Sequence, residues 1–167
     1  MHLNPQERSV LEPILVKYRH VFHKDGSNKF RGTDLAEHKI ITGEARPIRK
    51  SQYRVPLALR KEMYNQIQDM LNKGVIEESS SPWSSPAILV PKRSPDGTPK
   101  YRFCVDFRAL NAVTQFDTYP LPLFGETVST LHGSKYFSVL DCYSGFLQIK
   151  IAEEDKLETA FSTPEGH

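Results

Sequence analysis

The sequence predicts an α+β chain with a short helical linker segment at its N-terminus, and three features carry that expectation. Leu59, Met63, Ile67, Met70 and Leu71 repeat at helical spacing with Arg60, Lys61, Gln66 and Gln68 off the stripe. An Asp-Gly pair at 96–97, flanked by prolines, separates two strand-like runs and reads as a hairpin turn. Val10, Leu11, Ile14, Leu15, Tyr18, Val21 and Phe22 form a separate amphipathic segment near the start.

In chain order, the first helix is followed by the polar, glycine-containing stretch "HKDGSNKFRGTD", a linker by composition. Residues 37–56 mix β-branched, basic and proline residues, which suits extended chain broken by turns. The central helix begins near Leu57, and Gly74 supplies its stop. The Ser/Pro cluster around Trp83 reads as a loop, and residues 87–91 as a short apolar strand. After the turn, period-2 alternation assigns Tyr101, Phe103, Val105 and Phe107 to one face, with Arg102, Cys104, Asp106 and Arg108 opposite. Residues 124–132 suit a short helix closed by Gly133. Residues 136–141 read as a buried strand ending on Asp141, and 147–151 and 159–163 as two further strands.

A chain of 167 residues with 38% apolar and 25% charged side chains has the composition of a folded soluble protein, while 12 prolines imply much extended chain. No stretch reaches the roughly 20 apolar residues of a membrane span, and the first residues lack a secretory signal pattern. Cys104 and Cys142 have no metal-ligand spacing and suggest small core or near-core residues of a reduced protein, hence a cytoplasmic or nuclear location without a membrane.

The net charge of +2 conceals a gradient. Residues 35–73 carry 8 Lys/Arg against 4 Asp/Glu, residues 92–111 carry 5 against 2, and residues 112–167 carry 3 against 8. Solvated faces explain such a pattern; so does a basic surface for a polyanion beside an acidic region that holds a cation.

"KYFSVLDCYSGFLQI", residues 135–149, is the segment with chemical content. A carboxylate at the end of a buried strand is held rigidly at a sheet rim, the way folds position metal ligands and general bases. The alternative is an Asx interaction that merely caps the next turn.

Longer motifs bear on that choice. "GVIEESSSPWSSPAILVPKRSPDGTPKYRFCVDFRALNAVTQFDTYPLPL", then "KYFSVLDCYSGFLQIKI" and "ETAFSTPEGH", resemble the first half of the reverse transcriptase domain of gypsy-type LTR retrotransposon Pol polyproteins. The resemblance covers roughly residues 36–167. Residues 1–35 are similar in character to the segment that joins a protease to the polymerase in such polyproteins.

The resemblance implies a partial right-hand polymerase, with residues 1–35 as linker, 36–115 as fingers and 116–167 as the start of the palm. It implies an RNA-directed DNA polymerase whose partners are an RNA or DNA template-primer, deoxynucleoside triphosphates and the rest of the Pol polyprotein. Asp141 matches the first catalytic aspartate, which in the family holds two Mg2+ ions, and Cys142 would add its backbone carbonyl. Tyr143, Ser144 and Gly145 match positions whose backbone meets the triphosphate. Phe146 matches the aromatic that excludes a 2′-hydroxyl, although such a residue alone reads as a core aromatic. Arg102 matches the hairpin arginine on the nucleotide phosphates, and Lys92 or Arg93 a basic neighbour, where residues alone would suggest solvated charges. Asp106 and Arg108 match a family motif and read as a structural ion pair or template support; Trp83, with Pro82, lies in a stretch near the template path and reads as packing. Gln148 matches a position near the nucleotide pocket, without an assigned role.

The family's Tyr-x-Asp-Asp turn is not found before His167, and the sequence holds no Asp-Asp pair. A truncated reading frame or gene fragment, inactive by itself, is therefore expected. Glu158 stands where a lysine is common, and Leu123 and Gly125 where basic and acidic residues are. Two other readings accompany the enzymatic one: a non-catalytic nucleic-acid-binding or interaction module of a decayed element, and an unstable fragment with uncovered strand edges.

Overall fold

The computed structural model describes residues 3–22, 32–94 and 97–167. Most of the expected linker, and Pro95 and Asp96 of the expected turn, lie outside the described residues. Two compact units result, residues Met1–Phe30 and Arg31–His167.

In the first unit, helix α1 spans Pro5–Lys17. Asn4 caps it: its side chain accepts from the Glu7 N–H at 2.8 Å and the Glu7 carboxylate accepts from the Asn4 N–H at 2.8 Å, a reciprocal capping box that satisfies two end donors. None of its residues is buried.

The second unit is mixed helix and strand. Strand β1 (Glu37–His38) precedes helix α2 (Leu57–Asn72), strands β2 (Ser85–Lys92) and β3 (Lys100–Val105), and the short helices α3 (Arg108–Asn111) and α4 (Phe124–Ser129). Strands β4 (Lys150–Ile151) and β5 (Phe161–Ser162) follow. Helix α2 ends where Gly74 takes a left-handed φ of 66°. There the Gly74 N–H donates to Leu71 O and the Val75 N–H to Met70 O, both at 2.9 Å, satisfying carbonyls that the helix end would strand. Its apolar stripe buries Met63 and Ile67 against Val55, with Leu89 and Phe103 of the hairpin packed on the same cluster.

Strand β2 is the centre of a three-stranded sheet in the order β3-β2-β5. It pairs antiparallel with β3, Val90 facing Arg102 and Lys92 facing Lys100. It pairs parallel with β5 through Ser85 and Phe161. The hairpin turn closes with the Gly97 N–H donating to Ser94 O at 3.2 Å, Gly97 having φ 72°.

The Ser/Pro cluster departs from the expected loop. Ser84 bridges to Arg49 and Ser85 opens β2, both buried. Their polar groups are used: the Ser84 N–H donates to Ile48 O at 2.9 Å, the Ser85 N–H to Ala160 O at 3.0 Å, and the Ser84 and Ser162 hydroxyls lie 2.6 Å apart. Trp83, 6% exposed, joins Ile40 and Leu110 in a second core cluster.

The expected strand at 136–141 does not form. The segment takes no regular secondary structure, with Phe137 62% and Val139 94% exposed. A strand is stabilised by the neighbour to which it bonds, and no described strand lies alongside this one. The expected strand at 147–151 shrinks to β4, which pairs parallel with β1, because Gly145–Gln148 coil into a 3-10 turn. Cys142 is exposed rather than core, and Cys104 is half-buried.

Candidate active site

The back of the hairpin, through Leu89 and Phe103, is anchored on α2. Because side chains alternate across a strand and cross-strand partners share a face, Val90, Lys92, Lys100 and Arg102 lie together on the front. All four are exposed, as is Arg93 just beyond β2. Lys92 and Lys100 are directly opposite on this face. Lys100 was not marked by the sequence alone; the hairpin register reveals it.

At the base of the same face lies a cleft of 540 Å³ lined by Tyr53, Ile88, Cys104, Val105, Asp106 and Arg108. Arg108 grips Asp106 through two side-chain bonds, Nε to Oδ1 at 2.8 Å and Nη2 to Oδ2 at 2.6 Å. The Tyr53 hydroxyl donates to Asp106 Oδ2 at 2.6 Å and accepts from Arg108 Nη2 at 3.3 Å. The Arg108 guanidinium first, and the Tyr53 hydroxyl second, hold the Asp106 carboxyl well below the usual carboxylate range, and Asp106 raises Arg108 in return. The Asp106 side chain is 14% exposed and that of Arg108 83%. Tyr53 sits 53 residues from Asp106, so no local pattern pointed to it.

Asp141 is exposed and makes no hydrogen bond or ion pair among the described residues. The turn after it is tight. Ser144 adopts a left-handed conformation with φ 47°, rare for a residue with a Cβ. A Cβ on Gly145 would stand 3.1 Å from Cys142 Cβ, a tight contact that Cys142 would have to shift to relieve. The Gln148 amide donates to Tyr143 O at 2.7 Å and so ties the turn to itself. Phe146 is fully exposed on this turn.

The hairpin residues Lys92, Arg93 and Arg102 form one group and residues 141–146 another; no bond from Asp141 joins them. Asp141 offers one hard carboxylate oxygen donor set, and no cluster of three or more His, Cys, Asp or Glu side chains occurs among the described residues. These residues do not by themselves complete a two-metal centre, which needs further carboxylates.

Comparison with known proteins decides the family. Residues 90–166 match the reverse transcriptase (RNA-dependent DNA polymerase) family. The chain is 41% identical over 168 aligned residues, 99% of its length, to the retrovirus-related Pol polyprotein from transposon 297 of Drosophila melanogaster. The chain belongs to the reverse transcriptase family. It is part of such a domain from an LTR retrotransposon, and spans 16% of the length of that polyprotein relative.

The fold agrees. The prototype foamy virus protease-reverse transcriptase superposes with a TM-score of 0.78 at 26% identity, covering 98% of this chain and 21% of that one. A foamy viral protease-reverse transcriptase solved in complex with double-stranded DNA gives 0.72 at 25% identity, covering 98% of this chain and 28% of that one. The α+β second unit is thus a partial polymerase fold. Reverse transcriptases as a family use divalent metal ions. No helix among the described residues is long and apolar enough to cross a membrane.

Proposed function

We propose that residues 36–115 act as the fingers and 116–167 as the first part of the palm of an RNA-directed DNA polymerase that extends a primer on an RNA or DNA template. The observation that carries this reading is the hairpin: a rigid two-stranded arm, packed on α2 behind, that presents Lys92, Lys100 and Arg102 together in front. Triphosphate and template phosphates are the polyanions that such a face suits, and the forked guanidinium of Arg102 binds them bidentately. In this reading Asp141 supplies one of the carboxylates for two Mg2+ ions, with the Cys142 carbonyl beside it. The tight Ser144-Gly145 turn offers backbone N–H groups to the triphosphate, and Phe146 excludes a 2′-hydroxyl. The foamy viral relative bound to double-stranded DNA supports a nucleic-acid partner, and transposon 297 supports a Pol polyprotein context.

The test replaces the matching stretch of the transposon 297 Pol polyprotein with residues 1–167 and follows magnesium-dependent primer extension. Extension by the chimera, lost on Asp141→Asn and strongly reduced by Arg102→Ala, is the expected result. Equal extension with asparagine at position 141 would remove Asp141 from the reaction. The reading in which the basic hairpin binds nucleic acid without chemistry rests on the independence of the two groups of residues, and it requires a chimera that binds template-primer but never extends it.

A further inference from the structure

The turn after Asp141 is held by one of its own side chains. From residue 115 to residue 150 every residue except Gly145 and Gln148 is exposed, so Gln148 carries the one sheltered side chain of that stretch. Its amide donates to Tyr143 O at 2.7 Å, reaching back across the left-handed Ser144 and the closely packed Gly145. The Leu147 N–H donates to Ser144 O at 2.8 Å, so a side chain and a backbone bond close the same 3-10 turn, Gly145–Gln148. The main chain of Gln148 is held from the other side. The Thr33 N–H donates to Gln148 O at 2.6 Å, and a Cβ on Gly32 would stand 3.2 Å from that oxygen, which suits glycine there. Asp34 pairs with Lys150 at 3.0 Å, and β4 pairs with β1 from Lys150 onward. Gln148 thus links the turn to a seat formed by the start of the second unit.

We propose that Gln148 is a positioning residue for the incoming nucleotide: by fixing the Tyr143 carbonyl it sets the direction of the Ser144 and Gly145 N–H groups and the stance of Phe146. The proposal rests on the nucleotide reading above and adds to it the residue that sets its specificity. A left-handed backbone at a residue with a Cβ persists only where neighbouring bonds hold it, and the Gln148 amide makes such a bond across Ser144. Phe146 is fully exposed, so its ring has no packed neighbour and points where the turn aims it. A ring that must reject a single hydroxyl needs that aim held within a fraction of an ångström. Gln148 touches neither phosphate nor sugar in this role, because its amide is committed to Tyr143 O.

Two measurements test this, each with Gln148→Ala and with Gln148→Glu, which keeps the shape and removes the donor. In the 167-residue chain, amide hydrogen exchange at Leu147 should quicken roughly 3- to 10-fold in both variants, the size of one lost hydrogen bond. Exchange in α2 and the thermal midpoint should hardly change. In the transposon 297 polyprotein chimera, both variants should raise the KM for a deoxynucleotide by about the same factor and leave template-primer affinity as it was. They should also narrow the difference in kcat/KM between a deoxynucleotide and the matching ribonucleotide. Unchanged exchange at Leu147, or a Gln148→Glu chain that exchanges like the unaltered one, would overturn the positioning role alone. So would slower extension with KM and sugar discrimination intact, or faster exchange throughout with a fallen midpoint, the marks of a glutamine that only supports the fold. A chimera that never extends a primer would overturn the nucleotide reading, and the proposal with it, whatever the exchange rates.

Discussion

The backbone N–H of Ile40 donates to Asp155 Oδ2 at 2.7 Å, joining residues 115 positions apart. Ile40 belongs to the core around Trp83, and Asp155 lies on the 3-10 segment Glu153–Thr159, so one carboxylate ties the early chain to the late chain. Asp155→Ala leaves that half-buried donor without a partner and should destabilise the second unit by about 1–3 kcal/mol. Asp155→Asn, whose amide oxygen still accepts, should recover part of the loss. Urea unfolding of the three proteins measures this, and identical midpoints would show the bond to be idle.

Acid should find Asp106. Its folded-state pKa lies below the unfolded value, so the stability that it contributes is fully present above about pH 4, the ordinary range for a free aspartate, and is lost as the pH falls further. Denaturation midpoints followed downward from neutral pH should drop more steeply in the unaltered chain than in Asp106→Asn, where no carboxylate can be protonated. Parallel curves would contradict the depressed pKa.

Salt tests the hairpin face. Phosphate contacts release counterions, so template-primer affinity should fall as salt rises, and Arg102→Ala should lower the slope of log K against log salt by about 1. Lys92→Ala and Lys100→Ala should act in the same direction. Binding that ignores salt would exclude this face as a phosphate surface.

The two cysteines report on the turn after Asp141. Cys142 is exposed and Cys104 half-buried in the cleft, so a small alkylating reagent should modify Cys142 first, and Cys142→Ser should leave only the slow reaction. Equal rates would mean that the turn is covered in solution.

Primer extension by the 167-residue polypeptide alone should be undetectable at any magnesium concentration, because no group of three or more His, Cys, Asp or Glu side chains that could hold a metal occurs among the described residues and two-metal transfer requires several carboxylates. Incorporation abolished by Asp141→Asn would refute this.

Much of the local structure was written in short stretches of sequence. Helix α2 starts at Leu57 and stops at Gly74 because its hydrogen bonds and its apolar stripe are set within a few residues of each other, and a left-handed glycine ends it wherever it stands. The hairpin followed from its Asp-Gly turn and alternation, and the family from motifs running from residue 74 to residue 167. What depended on neighbours did not follow. Residues 136–141 have the composition of a buried strand yet belong to no strand, since a strand forms only against another strand. Cys142 goes with them to the surface.

The sequence by itself determined α1, α2, α4, the hairpin and the reverse transcriptase family, because turn chemistry, helical periodicity and ordered motifs are properties of adjacent residues. Only the tertiary structure decided that β5 pairs parallel with β2, that Ser84 and Ser85 are buried, and that Tyr53 completes the Asp106 and Arg108 cluster. Those contacts join residues 50 to 80 positions apart, and their partners are chosen by packing, which no local pattern encodes.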